Sequence, residues 1–399
     1  MQPDQILFKS FTLPCGVVLK NRIIKSAMSD SLGDGTGHPT PEQSRLYQRW
    51  ANGGAAASII GEVQYTSQFA EKPGNLVLNA NANLAPFREL AENGSENGSL
   101  LWLQLGHAGA LSYQPTSKPK GPSALDLPGL RCDALTTDEI QQIPTEFARI
   151  ALLAKNAGFG GVQIHAAHGF LLSQFLSPLF NKRDDEYGGS IANRMKLLLE
   201  AITATRNAVG PDFPIAVKLN SSDQLEGGLS EHESLQVVSA LDQSSIDLLD
   251  ISGGTYFPGA KNASDSAGSG PYFLSFAKRA RALTTKPLML TGGFKTRAQA
   301  EYALDSGVVD VVGLARVLAL DPSLPNQWMA DRSPEPTFPR FTHTPEGGVT
   351  AWYTMRLTQI ASDTENADVG DLDISIAEYE KRDKARTEIW LRHFNDVDP

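Results

Sequence analysis

The chain has 399 residues, 45 acidic against 35 basic side chains, a formal net charge of −10 and 41% hydrophobic residues. That balance fits a globular protein and argues against a nucleic-acid partner, because an acidic surface repels phosphate backbones. Cys15 and Cys132 are too few for a disulfide framework or a four-thiolate cluster. No run approaches the roughly 18 apolar residues of a spanning helix, so a cytoplasmic protein without a membrane partner is expected.

Residues 1–21 hold two short apolar runs around Pro14-Cys15-Gly16, which read as a hairpin. Eight apolar, β-branched runs follow: Arg22–Ala27, Ala56–Gly61, Leu100–Leu105, Gly161–His165, Pro214–Leu219, Ile246–Ile251, Pro287–Thr291 and Val308–Gly313. Helical spacing appears over Pro41–Asn52, Thr137–Ala157, Ile191–Val209, Ser230–Asp242, Leu274–Leu283 and Arg297–Ser306. Continuous apolar strands alternating with helices imply a parallel sheet covered on both faces. Eight such units predict an α/β fold, a TIM (β/α)8 barrel over residues 1–330, with the hairpin closing one end. A doubly wound open sheet is the alternative. Residues 106–135 read as a long loop. Residues 331–399 form a tail, extended over Pro334–Pro345 and helical over Trp352–Ala361 and Ile374–Phe394, packing on the barrel or on a partner subunit of a homo-oligomer.

Barrels of this kind build their sites at the C-terminal ends of the strands. Polar residues stand at nearly every such end: Met28-Ser29, Gln104 with His107, His165 with His168, Lys218 with Asn220, Ser252 through Tyr256, Gly292-Gly293, and Gly313 followed by Arg316. Paired glycines let backbone N–H groups approach an anion, and arginine adds a bidentate charge. The last two strand ends therefore suit a phosphate, against the alternative of a glycine turn beside a surface arginine. His165 and His168 suit donors to a substrate oxygen better than metal ligands, since the other strand ends lack further histidines and carboxylates; no metal is expected. Lys218 reads equally as a Schiff-base lysine or as a cation beside an anionic cofactor group.

The segment Ile164–Met195, IHAAHGFLLSQFLSPLFNKRDDEYGGSIANRM, closely resembles the signature of the old yellow enzyme family of flavin oxidoreductases. Leu19–Met28 (LKNRIIKSAM), Gln104–Gly109 (QLGHAG), Thr291–Phe294 and Asp310–Arg316 (DVVGLAR) are similar to further family motifs, in the same order. The resemblance implies FMN at the barrel mouth and NAD(P)H as electron donor. It places Ser26, Ala27, Met28, Ser29 and Val63 along the flavin, and Gln104 at its pyrimidine end. Gly292, Gly293, Gly313, Ala315 and Arg316 fall at the phosphate. Lys218 stands where the family usually has arginine, and Ala315 where it usually has glycine. His165 and His168 would donate to the carbonyl oxygen of an α,β-unsaturated small-molecule substrate.

One departure bears on the reaction. Phe170 occupies the position of the family's usual tyrosine proton donor, and phenylalanine cannot donate a proton. Tyr256 and solvent are the candidate replacements, while Tyr187 reads as structural. The expected activity is reduction of activated C=C bonds of enones or enals. The alternative is isomerisation or desaturation of such compounds.

Overall fold

The computed structural model describes residues 5–257, 260, 270–332 and 335–395. Eight strands form the barrel: β1 (Ile23–Ser29), β2 (Ala57–Gln64), β3 (Leu100–Gly106), β4 (Gly161–Ala166), β5 (Ile215–Asn220), β6 (Leu248–Ser252), β7 (Leu288–Thr291) and β8 (Val311–Leu314). Each pairs in parallel with the next, and β8 returns to β1 through Val312↔Ile23. That last pairing closes the sheet and rules out the open alternative. The ladders of β1 and β2 shift register between Lys25 and Met28 and between Ile60 and Val63. Such irregularities re-aim side chains at a barrel rim.

A helix follows every strand: α1 (Pro41–Asn52), α2 (Leu84–Asn93), α3 (Thr137–Asn156), α4 (Lys196–Val209), α5 (Glu231–Asp242), α6 (Leu274–Arg281), α7 (Arg297–Asp305) and α8 (Arg316–Leu320). Their starts are written locally. Thr40 caps α1 through Gln43 N, with Pro41 at the first helical position, and Thr136 and Glu139 form a capping box on α3. The helix expected over Ile191–Val209 is interrupted at Met195, leaving Ile191–Arg194 and α4. Helix α2 was not foreseen; its ten residues are short and include Pro86. The expected loop at 106–135 carries a small sheet of Lys120–Gly121, Leu125–Leu127 and Leu130–Ala134.

The barrel interior is layered. Its floor is apolar: Ile24, Ala57, Ile59, Trp102, Ala216, Leu248, Met289 and Val311 pack with Leu13 and Leu19. The last two belong to the N-terminal hairpin, Phe11–Thr12 against Val18–Leu19, which plugs that end. Above the floor the inward positions turn polar.

In the tail, α9 (Gly348–Ala361) packs on α1 and α8, and α10 (Leu372–Asn395) packs on α9. Helix α10 also reaches the segments that follow β1 and β2. Arg386 donates to Ser31 O, Lys72 pairs with Asp383 at 3.4 Å, and Trp390 is buried with Ala70 and Val77. Pro334, within the stretch expected to be extended, lies outside the described residues.

Candidate active site

The polar layer begins with a carboxylate. Asp250, on β6, is fully buried, and its Oδ2 accepts from Lys218 Nζ at 2.9 Å and from Gln163 Nε2 at 3.0 Å. Its Oδ1 accepts from Thr291 Oγ1 at 2.6 Å, and Thr291 in turn bonds Ser26 Oγ at 2.9 Å. Gln163 Oε1 accepts from Gln104 Nε2 at 2.7 Å. The registers Gln163↔Gln104, His165↔Lys218 and Lys218↔Asp250 bring these side chains to one side of the sheet. Six strands thus share one hydrogen-bonded network. The carboxylate answers the cost of burying the ammonium.

Beyond that network stand the two histidines. Their rings meet edge to face, with centroids 5.2 Å apart. His168 has a left-handed backbone (φ 60°), held by donation from its N–H to Asn220 Oδ1 and by acceptance at its carbonyl from Tyr256 N. Its Nε2 lies 2.9 Å from Ser252 Oγ. Burial, and then the charge of Lys218, pushes His168 down to about 3. Burial, with His168 and Lys218, holds His165 well below the ordinary histidine value. Both rings are neutral at physiological pH. A neutral imidazole keeps one N–H donor, which suits it to grip a carbonyl oxygen.

Phe170 and Tyr256 complete this cluster. The Phe170 ring lies 4.9 Å from His165 and 5.9 Å from Tyr256, and Tyr256 lies 5.8 Å from His168. Phe170 is 2% exposed, whereas Tyr256 is 55% exposed at the mouth. All four residues proposed for catalysis therefore meet in one place. His107 does not join them. It stacks on Phe69 at 4.2 Å, and its Nδ1 accepts from Gly109 N. Tyr187 is structural, buried and bonded to Glu200.

The flavin-binding set divides. Gly61 packs closely: a Cβ there would lie 3.0 Å from both Ala27 Cβ and Gln104 Oε1, and 3.3 Å from Met28 N. Ser29 Oγ is buried with no hydrogen-bond partner among the described residues. The Val63 side chain points away, into the apolar layer between strands and helices, so only its backbone could serve a ligand. Gly313 makes room, since a Cβ would fall 2.2 Å from Thr291 Oγ1 and 2.4 Å from Ser26 Oγ. Gly292 and Gly293 have φ of 122° and 85°, and a Cβ on Gly293 would meet Gly270 O at 2.0 Å. Arg316, just after Ala315, has no hydrogen bond or carboxylate partner among the described residues; its guanidinium sits 5.7 Å from the Tyr353 ring centroid. A cation without a carboxylate partner among the described residues, and two left-handed glycines after the adjacent strand, fit a phosphate. A buried lysine, a glutamine and an orphaned hydroxyl fit the polar edge of a flavin.

The NADH:flavin oxidoreductase / NADH oxidase family model matches residues 6–335. The chain belongs to that family. An NADH-dependent flavin oxidoreductase of Hypocrea jecorina (strain QM6a) is 34% identical over 353 residues, covering 80% of this chain and 87% of the relative. The old yellow enzyme homologue from Zymomonas mobilis superposes with a TM-score of 0.74 at 25% identity, over 87% of this chain and 98% of that one. Morphinone reductase superposes with a TM-score of 0.73 at 25% identity, over 85% and 93%. The oxidoreductase is an FMN-dependent NAD(P)H enzyme on a TIM barrel. Among the described residues no helix is long and apolar enough to cross a membrane.

Three residues of this site escaped the sequence reading: Gln163 and Asp250, which anchor the polar layer, and Tyr353, beneath Arg316. The signal for the first two was present. Two carboxylates, Asp247 and Asp250, interrupt the apolar run IDLLDI, and a carboxylate buried in a strand needs a partner. Tyr353 comes from the tail, where no strand end marks a site.

Proposed function

We propose that the oxidoreductase reduces activated C=C bonds of enones or enals, with the substrate carbonyl held between His165 and His168. The observation that carries this reading is the pair of neutral imidazoles meeting at 5.2 Å, one of them oriented by Ser252. FMN, when bound, supplies a hydride acceptor for NAD(P)H and a hydride donor for the alkene carbon. Ser26 to Ser29, Gln104 and Lys218 would hold the flavin ring. Gly292, Gly293, Ala315 and Arg316 would hold its phosphate. Two N–H donors on the carbonyl oxygen would draw charge from the β-carbon, where hydride adds, and stabilise the enolate charge that then develops on that oxygen. Tyr256, whose ring lies 5.8 Å from that of His168, would protonate the α-carbon.

A second reading rests on Phe170, whose ring sits where a donor would serve. Without prompt protonation the enolate returns its hydride after bond rotation, and isomerisation results. Product analysis with a defined geometric isomer of an enal separates the two. Saturated product in amounts equal to NAD(P)H consumed supports reduction. Isomerised enal without net NAD(P)H consumption sinks it. We place the enzyme in the cytoplasm. We divide it into a barrel of residues 1–330 and a tail of residues 331–399 serving its own barrel, a second copy being the alternative.

A further inference from the structure

We propose that Asp250 is a positioning residue that anchors Lys218 and, through it, sets the oxidation–reduction potential of the bound flavin. The inference rests on the reading that Lys218 faces the FMN ring.

Lysine is a poor substitute for the arginine of relatives in one respect. Its ammonium is a point charge on a four-carbon stem, without the planar fork that fixes a guanidinium. The fold supplies the missing constraint from outside. Lys218 and Asp250 are register neighbours on β5 and β6, 1% and 0% exposed at the side chain, and 2.9 Å apart. Asp250 is itself pinned by Gln163 on β4 and Thr291 on β7. Donors from two other strands therefore fix one carboxylate, and that carboxylate fixes the ammonium. One of the three ammonium N–H groups is committed to Asp250, leaving two for a ligand.

The same contact sets charge. A flavin edge beside Lys218 meets a cation already partly offset by a buried anion. The anionic reduced flavin gains from the ammonium and loses to the carboxylate, while the neutral oxidised flavin responds weakly to both. Asp250→Asn keeps the shape and removes the anion, so reduced flavin is favoured and the potential rises. Lys218→Met does the reverse.

The test is the midpoint potential of the FMN-loaded variants, measured by dye-equilibrated anaerobic reduction. The expected result is a rise of at least about 30 mV in Asp250→Asn, the two-electron equivalent of a tenfold change in relative binding. Lys218→Met should fall, and Asp250→Glu should return close to the parent value. If Lys218→Met falls while Asp250→Asn stays within about 10 mV or drops, the proposal is overturned and the placement of Lys218 survives. If neither variant moves, that placement fails as well. Should Asp250→Asn not retain FMN, Thr291→Val removes a donor from Oδ1 and concentrates negative charge toward Lys218. Its potential is expected to fall, and no change overturns the proposal.

Discussion

Tyr353 lies under Arg316, with 5.7 Å between the guanidinium carbon and the ring centroid. The arginine opens α8 within the barrel, and the tyrosine comes from α9 in the tail. Burial first, with Tyr272 adding to it, pushes Tyr353 up to about 12 against the opposing pull of Arg316. The phenol thus stays protonated beside the cation.

Arg316→Ala should weaken FMN binding about ten- to a hundredfold, the value of a lost charge-assisted contact of on the order of 1.5–3 kcal/mol. Tyr353→Leu keeps the cation but removes its platform and should cost less, about two- to fivefold, for a cation–π contact of about 0.5–1 kcal/mol. Fluorescence titration of the apoprotein measures both. Unchanged affinity in Arg316→Ala places the phosphate elsewhere.

The two site histidines predict a flat binding profile. His168 titrates near 3, so its state does not change between pH 5 and 8. A para-substituted phenol held there should show a long-wavelength charge-transfer band. Once corrected for the phenol's own ionisation, its affinity should be constant over that range. The His165→Ala, His168→Ala double variant should lose the band. A step in affinity near pH 6.5 would mean that the rings charge normally.

Phe170 and Tyr256 make opposite predictions for proton delivery. A placed general acid contributes about 10²–10⁴-fold. If Tyr256 is the donor, Tyr256→Phe slows flavin reoxidation by enones by that order and leaves reduction by NAD(P)H unchanged. If solvent serves instead, Phe170→Tyr gains rate and Tyr256→Phe does nothing. Rapid-mixing reoxidation of both variants decides between the two.

Stability should fall on acidification through the histidine range. Burial pushes His107 down to about 3, against an ordinary value of 6.5. Between these values the unfolded chain binds a proton that the folded chain refuses. Stability fully present above pH 6.5 is therefore lost as pH falls toward 3, by about 1.4 kcal/mol per pH unit for each such histidine. Thermal unfolding of the apoprotein between pH 7.5 and 4.5 should show the slope. His107→Asn, which can still accept from Gly109, should make it shallower; an identical slope would exclude His107 as a source.

Lys25 offers a gain. Its side chain faces α1, wholly buried, with Nζ lacking a hydrogen-bond partner among the described residues and lying 4.1 Å from the Trp50 ring centroid. Burial pushes it down to about 7. Lys25→Met should stabilise the fold by about 1–2 kcal/mol: removing an unsatisfied buried donor is worth about 1–3 kcal/mol, less the ring contact. A lower melting temperature would show that the ring contact outweighs that cost.

Most of the barrel was readable because its strands are continuous apolar runs and its helices carry their own caps, as at Thr40 and Thr136. Strand ends then located His165, His168, Lys218 and Arg316 without the fold. What stayed hidden depends on pairing. That Asp250 meets Lys218, and that Gln163 meets Gln104, follows from registers between strands far apart in sequence. The outward side chain of Val63 was hidden for a related reason: the ladder of β2 shifts register just before it. Tyr353 was hidden because the tail's route across α1 and α8 is not written in any local pattern.

Among the described residues, the hairpin plug leaves the polar layer open only toward the C-terminal ends of the strands. With Leu13 and Leu19 sealing the floor over Trp102 and Met289, nothing approaches the polar layer from below. On the proposed reaction, nicotinamide and alkene would then share that mouth and take turns. Each should act as a dead-end competitor of the other at high concentration. Turnover should pass through an optimum rather than a plateau as either is raised against a fixed amount of its counterpart.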